Sequence, residues 1–327
     1  MRDVFEAHLP KVLKAPVAAS AYAPSNIALS KYWGKRDAAL NLPLNSSLSI
    51  SLGDWGTTTR VTPAEKDALV FNGEPLAGGA FARKVWAHVE RFRRGQALPL
   101  RIETENSIPT AAGLASSASG FAALTQALDA AFALGLPVSV LSLFARFGSG
   151  SATRSFWHGF VRWDRGARSD GSDSFAHPLD LRWPAFRIAI IPVDTGPKSK
   201  SSRDGMAHTT ETSPLFSRWP DLAEADCAAI EAAIEAQDFD RLGELAEANA
   251  LAMHATMLAA RPALCYLKPV SWEVLSTLWE ARATGLKAYA TMDAGANVKL
   301  IFLEDAAADV AALFPQAALI APFDHSL

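Results

Sequence analysis

Three short stretches of this 327-residue chain concentrate side chains that do chemistry. Ser30-Lys-Tyr-Trp-Gly-Lys-Arg-Asp37 packs three cations and two aromatic rings together, with Lys31 and Lys35 four positions apart. At that spacing the two ammonium groups can point at one negative group. A solvated turn around one buried tryptophan is the plainer alternative. Ser149-Gly-Ser-Ala-Thr-Arg-Ser155 sets one arginine among serines and glycine, just before aromatic residues. Arg154 is either a surface side chain stacked on Trp157 or a planar fork for a carboxylate or phosphate, with Ser149 and Ser151 donating beside it. Met292-Asp-Ala-Gly-Ala-Asn297 puts Asp293 at a strand end beside a glycine turn, either as ordinary turn chemistry or as a rigidly held catalytic carboxylate.

A fourth stretch is notable for what it lacks. Between Glu105 and Gly120 lie almost only small residues: Ala111, Ala112, Gly113, Leu114, Ala115, Ser116 and Ser117 among them. Upstream, Leu100-Arg-Ile-Glu-Thr alternates like a half-buried strand; downstream, Phe121, Leu124, Leu128 and Phe132 recur at helical spacing. Strand, small-residue loop and serine-capped helix start together suit a phosphate, because free N–H groups and the positive helix end face the anion. A close helix–strand packing entry fits the same residues. Neither Gly-x-x-x-x-Gly-Lys-Ser/Thr nor a complete dinucleotide fingerprint occurs, since Gly148-Ser-Gly150 lacks its third glycine.

The elements that must position these groups read as follows. The length suggests two domains, each able to bury a core. A formal charge of −3 argues against a non-specific nucleic-acid binder. Cys227 and Cys265, with no Cys-x-x-Cys, read as buried free thiols in a reducing, cytoplasmic setting. Met1 to Ala19 shows no signal peptide, no apolar run reaches membrane-spanning length, and the histidines show no transition-metal spacing. His254 reads as a core or boundary histidine.

Residues 1–15 read as a short amphipathic helix or a loose tail, and Val17 to Leu29 as a strand breaking at Pro24. Asn45 to Leu52 and Thr57 to Thr62 read as a hairpin across Gly53-Asp54-Trp55-Gly56. Ala80 to Phe92 and Val138 to Phe147 are expected helices, Gly159 to Trp163 a strand, and Arg165 to Pro178 a mobile polar loop. Phe186 to Val193 is a buried strand, with a domain boundary just before it. Asp194 to Ser213, carrying Lys198, Lys200, Ser201, Ser202 and Arg203, is an expected long loop acting as a lid or clamp. Helices follow over Leu222 to Ala236 and Arg241 to Leu258, then one capped by Ser271 and stopping at Gly285. Strands over Lys287 to Met292 and Val298 to Leu303 pair around Asp293.

Asn26-Ile-Ala-Leu-Ser-Lys-Tyr-Trp-Gly-Lys-Arg-Asp37, Pro109-Thr-Ala-Ala-Gly-Leu-Ala-Ser-Ser-Ala118, Ser149 to Ser155 and Met292 to Asn297 together resemble one family. It is the diphosphomevalonate (mevalonate diphosphate) decarboxylases of the GHMP kinase superfamily. Leu42 to Ser47, Glu211 to Pro214, His254 to Thr256 and Tyr266 to Trp272 extend the resemblance over essentially the whole chain, in order. The likeness tilts the small-residue loop towards phosphate. It implies an α+β, two-domain GHMP-kinase fold. Residues 1–185 would form the ribosomal-protein-S5-domain-2-like, ATP-binding domain, and 186–327 a ferredoxin-like α/β sandwich carrying the catalytic aspartate.

The resemblance also implies a reaction: ATP phosphorylates the 3-hydroxyl of mevalonate 5-diphosphate, and loss of phosphate and CO2 gives isopentenyl diphosphate. Asp293, Lys31 and Arg154 would be catalytic: Asp293 accepts from or deprotonates the hydroxyl, Lys31 supplies positive charge, and Arg154 forks onto the substrate carboxylate. Asn26, Tyr32, Lys35, Ser149, Ser151, Ser202 and Arg203 would bind substrate. Ala111, Ala112, Gly113, Leu114, Ala115, Ser116 and Ser117 would cradle ATP with Mg2+. The family's habit implies a homodimer. Two departures stand out: Ala296 replaces the usual proline, which is expected to loosen the turn, and Asn106-Ser107-Ile108 stands where animal and fungal members have Asn-Asn-Phe. The rivals are the same reaction on mevalonate 5-phosphate, a kinase that stops at the 3-phosphate, and a silent binding relative. The last two lack an acid, amine and guanidinium set like Asp293, Lys31 and Arg154.

Overall fold

The computed structural model describes residues 4–108, 117–194, 196 and 200–324; the loop positions Ala111 to Ser116 and Lys198 lie outside the described residues. The first half runs through α1 (Val4–His8), β1 (Ala19–Ser30), β2 (Lys35–Asp37), β3 (Leu42–Pro43), β4 (Ser47–Pro63), β5 (Ala68–Phe71) and β6 (Glu74–Pro75). It continues with α2 (Gly79–Arg93), β7 (Leu100–Asn106), α3 (Ser117–Ala131), α4 (Val138–Ala145), β8 (Phe160–Trp163) and β9 (Ala176–Pro178). The second half holds β10 (Phe186–Ile191), α5 (Ser202–Thr212), α6 (Trp219–Glu235), α7 (Phe239–Leu258), α8 (Pro269–Ala283), β11 (Ala288–Thr291), β12 (Val298–Leu303), α9 (Ala307–Leu313) and β13 (Ala318–Ile320).

The expected hairpin is instead one strand. β4 runs unbroken for 17 residues, pairing with β1 along its length and with β8 and β7 along its other side. Pro24 faces Gly56 and Asn26 faces Ser51, so β4 takes five steps where β1 takes two. Pro24 has no N–H to give the ladder, and the surplus of β4 bulges out at that point. The glycines serve this bulge: Gly53 has φ +60° and its carbonyl accepts from the Tyr22 hydroxyl at 2.7 Å. A Cβ on Gly56 would lie 2.2 Å from the Ala23 carbonyl oxygen. Hairpins and bulges draw on the same residues, which is why the sequence misleads here. β1 therefore does not break at Pro24; it bends there and delivers Asn26 and Lys31 to one end of the sheet.

The first sheet has seven strands, in the order β6-β5-β7-β4-β8-β9 with β1 on β4; the second has four, in the order β11-β12-β10-β13. The α3 stripe of Phe121, Leu124, Leu128 and Phe132 is buried as expected, but so are Ala118, Ala122, Ala123 and Ala127, so the helix is enclosed on nearly every side. One core joins the two sheets: Ile27, Leu29, Leu48, Ile50 and Phe160 pack in the same cluster as Phe186, Ile190, Ile230, Leu275 and Leu300.

Several expectations change. The long loop is half helix: Ser201 caps α5, its hydroxyl accepting from the Asp204 N–H and donating to the Asp204 carboxylate, a Ser-x-x-Asp signal the sequence already carried. The Arg165 to Pro178 loop is tied down: Ala176–Pro178 pairs with β8, and Arg146 donates to the carbonyls of Gly171 and Ser174. Ser271 sits inside α8 rather than before it, accepting from the Lys268 N–H at 3.0 Å. Cys227 is buried, but Cys265 is exposed. The N-terminal segment is no loose tail from Val4 on, since Phe5 stacks on Phe144 and Leu9 and Leu13 are buried.

Candidate active site

Lys31 is the first residue past β1, and the fold fixes it through its backbone. Its N–H donates to Asn249 on α7 (2.8 Å) and its carbonyl accepts from Asn45 (2.8 Å). Its ammonium donates to the Ala28 carbonyl (2.8 Å) and to Asp293 Oδ1 (2.9 Å). Asp293 leaves β11 in a tight turn, with its own carbonyl accepting from the Gly295 N–H (2.7 Å) and contacting His254 Nε2 (3.2 Å). Ser271 donates to the Ala296 carbonyl (2.7 Å), and Asn297 Oδ1 accepts from the N–H groups of Val193 and Asp194. These anchors hold the turn without the family's proline.

Asp293 Oδ2 has a partner the sequence reading missed. Lys299 on β12 donates to it at 3.1 Å. A lysine inside Val298-Lys-Leu-Ile-Phe-Leu303 was the available signal, because a buried strand carries a charge only if it is paired. Both amines lie under the surface, at 2% and 4% exposure, while the carboxylate is 41% exposed towards the cleft. Burial pushes the Asp293 carboxyl up, but Lys299 and Lys31 together outweigh it and hold the group well below the usual carboxylate range. Burial, helped by Lys299 and Arg154 and opposed by Asp293, brings Lys31 down to about 8. His254, buried and near Lys31, is brought down to about 4 and is neutral at pH 7.

Arg154 closes a 3-10 turn over Gly150–Arg154 and is 2% exposed, so it is no surface side chain. Its guanidinium donates to the Ser47 hydroxyl and to Asn26 Oδ1 (3.4 Å), and lies 6.0 Å from the ring of Trp163 rather than on Trp157. Asn26 in turn donates to Ser155 Oγ (2.7 Å) and the Ser151 carbonyl (3.2 Å). Ser149 and Ser151 bring their hydroxyls within 3.2 Å of each other. The buried Nε of Arg154 and hydroxyl of Tyr32 have no hydrogen-bond partner.

Asn26, Lys31, Tyr32, Ser149, Ser151, Arg154 and Asp293 line one cleft of about 550 Å³ between the two halves, together with Lys35, Ser117, Ser202 and Arg203. Lys31 and Lys35 do not converge on one group as their spacing suggested. Residues 31–34 are not helical, so Lys31 turns to Asp293 while Lys35 faces Arg203 and Lys84. Burial, then Arg203 and Lys84, bring Lys35 down to about 8. Lys84, on α2, also lines the cleft and was not anticipated; on a helix it reads as part of a solvated face. Among the described lining residues, Lys31, Lys35, Lys84, Arg154 and Arg203 face a single acid, Asp293. The cleft is built to take an anion.

No cluster of acids, histidines or cysteines among the described residues can hold a metal ion. Both oxygens of Asp293 are already engaged by lysines. The donor set therefore suits magnesium arriving on a nucleotide's phosphates rather than a resident ion. Ser117, of the expected nucleotide loop, begins α3 at the cleft, so the helix's positive end opens there.

Residues 23–176 match the diphosphomevalonate decarboxylase-like N-terminal domain, and residues 188–322 match the mevalonate 5-diphosphate decarboxylase C-terminal domain. The diphosphomevalonate decarboxylase of Aspergillus fumigatus is 40% identical over 310 residues, covering 88% of this chain and 77% of that one. The human enzyme is 36% identical, over 91% of this chain and 80% of its own. Among solved structures, a complex described as MDDEF with MVAPP, AMPPCP and magnesium superimposes with a TM-score of 0.88 at 39% identity, covering 93% and 96% of the two chains. The mevalonate diphosphate decarboxylase of Staphylococcus aureus gives 0.88 at 37% identity, covering 93% and 95%. With both halves matched, and the α+β architecture shared, the chain belongs to the diphosphomevalonate decarboxylase family.

Proposed function

We propose that this protein converts mevalonate 5-diphosphate and ATP to isopentenyl diphosphate, ADP, phosphate and CO2. The observation that carries the reading is the Lys31–Asp293 ion pair across the two halves, with Arg154 in the same positively lined cleft.

Asp293 accepts the proton of the substrate's 3-hydroxyl as that oxygen attacks the terminal phosphorus of ATP, and ADP leaves. Lys31 sets positive charge beside the oxygens on which negative charge builds. The C3–O bond then breaks with its electron pair going to phosphate. The bond to the carboxyl carbon breaks with its pair forming the C=C, and CO2 departs. Arg154, with Nη1 and Nη2 steadied by Ser47 and Asn26 and its Nε without a partner, holds the carboxylate for that cleavage, so alignment is most of what the protein adds. Asn26 orients Arg154. Tyr32, Lys35, Ser149, Ser151, Ser202 and Arg203 take the phosphate tail. Magnesium, bound with ATP, shields the phosphate charge; Ser117 and the loop from Ala111 to Ser116 would hold the nucleotide.

Incubation with ATP and mevalonate 5-diphosphate should release CO2 and ADP one for one. ADP without CO2 would make the protein a kinase, and faster turnover of mevalonate 5-phosphate would move the substrate to the monophosphate. The domains divide as 1–185 and 186–327, supported by β1–β9 and β10–β13 never sharing a sheet. The protein is a homodimer by family analogy, to be checked by light scattering. It works in the cytoplasm, a setting that suits its free cysteines.

A further inference from the structure

We infer that Lys299 is the standing counter-ion of Asp293, a positioning residue that leaves Lys31 free to follow the transferring phosphoryl group. The inference rests on the function proposed above and goes beyond it, since nothing in the resemblance assigns Lys299 a role.

The two lysines on Asp293 are not equivalent. Lys299 lies on β12 in register with Thr291 of β11, two residues before Asp293, so lysine and aspartate are held by one sheet in one half of the molecule. Movement between the halves leaves that 3.1 Å contact alone. Lys31 comes from the other half, lines the cleft and keeps a second acceptor in the Ala28 carbonyl. Were Lys31 its sole counter-ion, moving that lysine to the phosphoryl group would leave the Asp293 carboxylate unpaired beside the substrate's own negative charges, which is disfavoured. With two amines on Asp293, one is surplus. The surplus one is the lysine that faces the reacting oxygens. Lys299 thus keeps Asp293 ionised and aimed while Lys31 transfers its attention to phosphate.

Four charged or titratable groups bear on Asp293: Lys31 after β1, Lys299 on β12, Arg154 on the 3-10 turn, and His254 on α7, whose ring meets the Asp293 carbonyl and is neutral at working pH. Removing Lys299 has a signed consequence for two of them. Asp293 loses a cation and its carboxyl rises, but from so far below the usual carboxylate range that it stays ionised at working pH and the acid limb, set by the substrate's phosphates, does not move. Lys31 loses a repelling neighbour and keeps its acid, so its ammonium survives beyond about 8: the alkaline limb of kcat/KM moves up.

The test is the pH profile of kcat/KM, measured by CO2 release, for the wild-type protein, Lys299→Met, Lys299→Gln and Lys299→Arg, with circular dichroism confirming the fold. In both neutral variants the alkaline limb should move to higher pH with the acid limb unmoved, and kcat should fall by about 10- to 100-fold, with KM for the diphosphate changing less than about threefold. Lys299→Arg should hold the alkaline limb within about half a pH unit of wild type. If the Met variant does not fold, the Gln and Arg pair decides the matter alone. A folded neutral variant whose alkaline limb stays put would make Lys299 a strut and overturn the inference. So would an Arg variant that shifts as far as the neutral ones. A wild-type protein that releases no CO2 would sink the proposed reaction instead, so the two failures are distinct.

Discussion

The floor of the cleft and its mouth are built on opposite principles. On the floor the protein's own groups hold each charge in place: Lys31 and Lys299 on the two oxygens of Asp293, and Arg154 propped by the neutral side chains of Ser47 and Asn26. At the mouth, Lys35, Lys84 and Arg203 face one another across the gap between β2, α2 and α5, with Asp204 the acid that bears on Lys84. The floor is finished before any ligand arrives, as groups must be that stabilise a transition state without reorganising. The mouth is left electrostatically incomplete, and in the proposed function the substrate's anionic tail would complete it, concentrating affinity at one end of the substrate and rate at the other.

The sharpest way to break this contrast is Asp293→Asn. It keeps the shape of the floor but leaves two lysines facing a neutral amide, so turnover should fall by roughly three to five orders of magnitude while ATP affinity by calorimetry stays within about threefold. Near-normal turnover would move the proton acceptor elsewhere. Arg154→Lys keeps the charge and discards the fork; kcat should drop by about a hundred- to a thousandfold with ADP release outrunning CO2 release in single-turnover quench experiments. Coupled loss of both products would mean that Arg154 serves phosphorylation as well.

The mouth should respond differently. Arg203→Ala and Lys84→Ala should each raise KM for the diphosphate by about 10- to 30-fold with kcat nearly intact, and should lessen the effect of added salt on kcat/KM. If kcat fell instead, the separation of floor from mouth would be false. The smallest catalytic effect belongs to Gly56→Ala, in the β4 bulge and outside the cleft lining. The added methyl meets the Ala23 carbonyl and the Tyr22 hydroxyl in the bulge, so the protein should lose about 2–4 kcal/mol in urea melts while kcat of the folded fraction changes little. A large kcat change would show that the bulge sets the aim of Lys31.

Much of this was legible before the fold. Asp293, Lys31 and Arg154 stood out by residue type, each beside a plainer alternative, and their buried meeting in one cleft favours the chemical reading. The small-residue loop was tilted towards phosphate by the resemblance alone, and positions 111–116 lie outside the described residues. Their meeting was not readable from spacing, because each sits on a different element and only the packing of the halves unites them. Lys299 was missed because periodicity treats a strand lysine as edge or solvent-facing, and a buried charge is explained only by its partner across a turn. The false hairpin has a similar root: glycine, aspartate and tryptophan between two alternating runs describe a turn and a bulge equally well. Only Pro24 opposite, with no N–H to donate, tips the balance, and that is pairing information.

The core shared by Ile27, Leu48, Phe160, Phe186, Ile230 and Leu300 bears on how the molecule melts. Two sheets that never exchange a strand nevertheless bury a face each in one apolar mass, so each would bare that face to water if the other were cut away, although the first half keeps a second core of its own around Phe92, Leu124 and Phe144. Severed at the connection before Phe186, both fragments should be insoluble when expressed separately. The intact chain should unfold in a single calorimetric transition, and loosening either half should be felt at the reacting groups that sit along their seam.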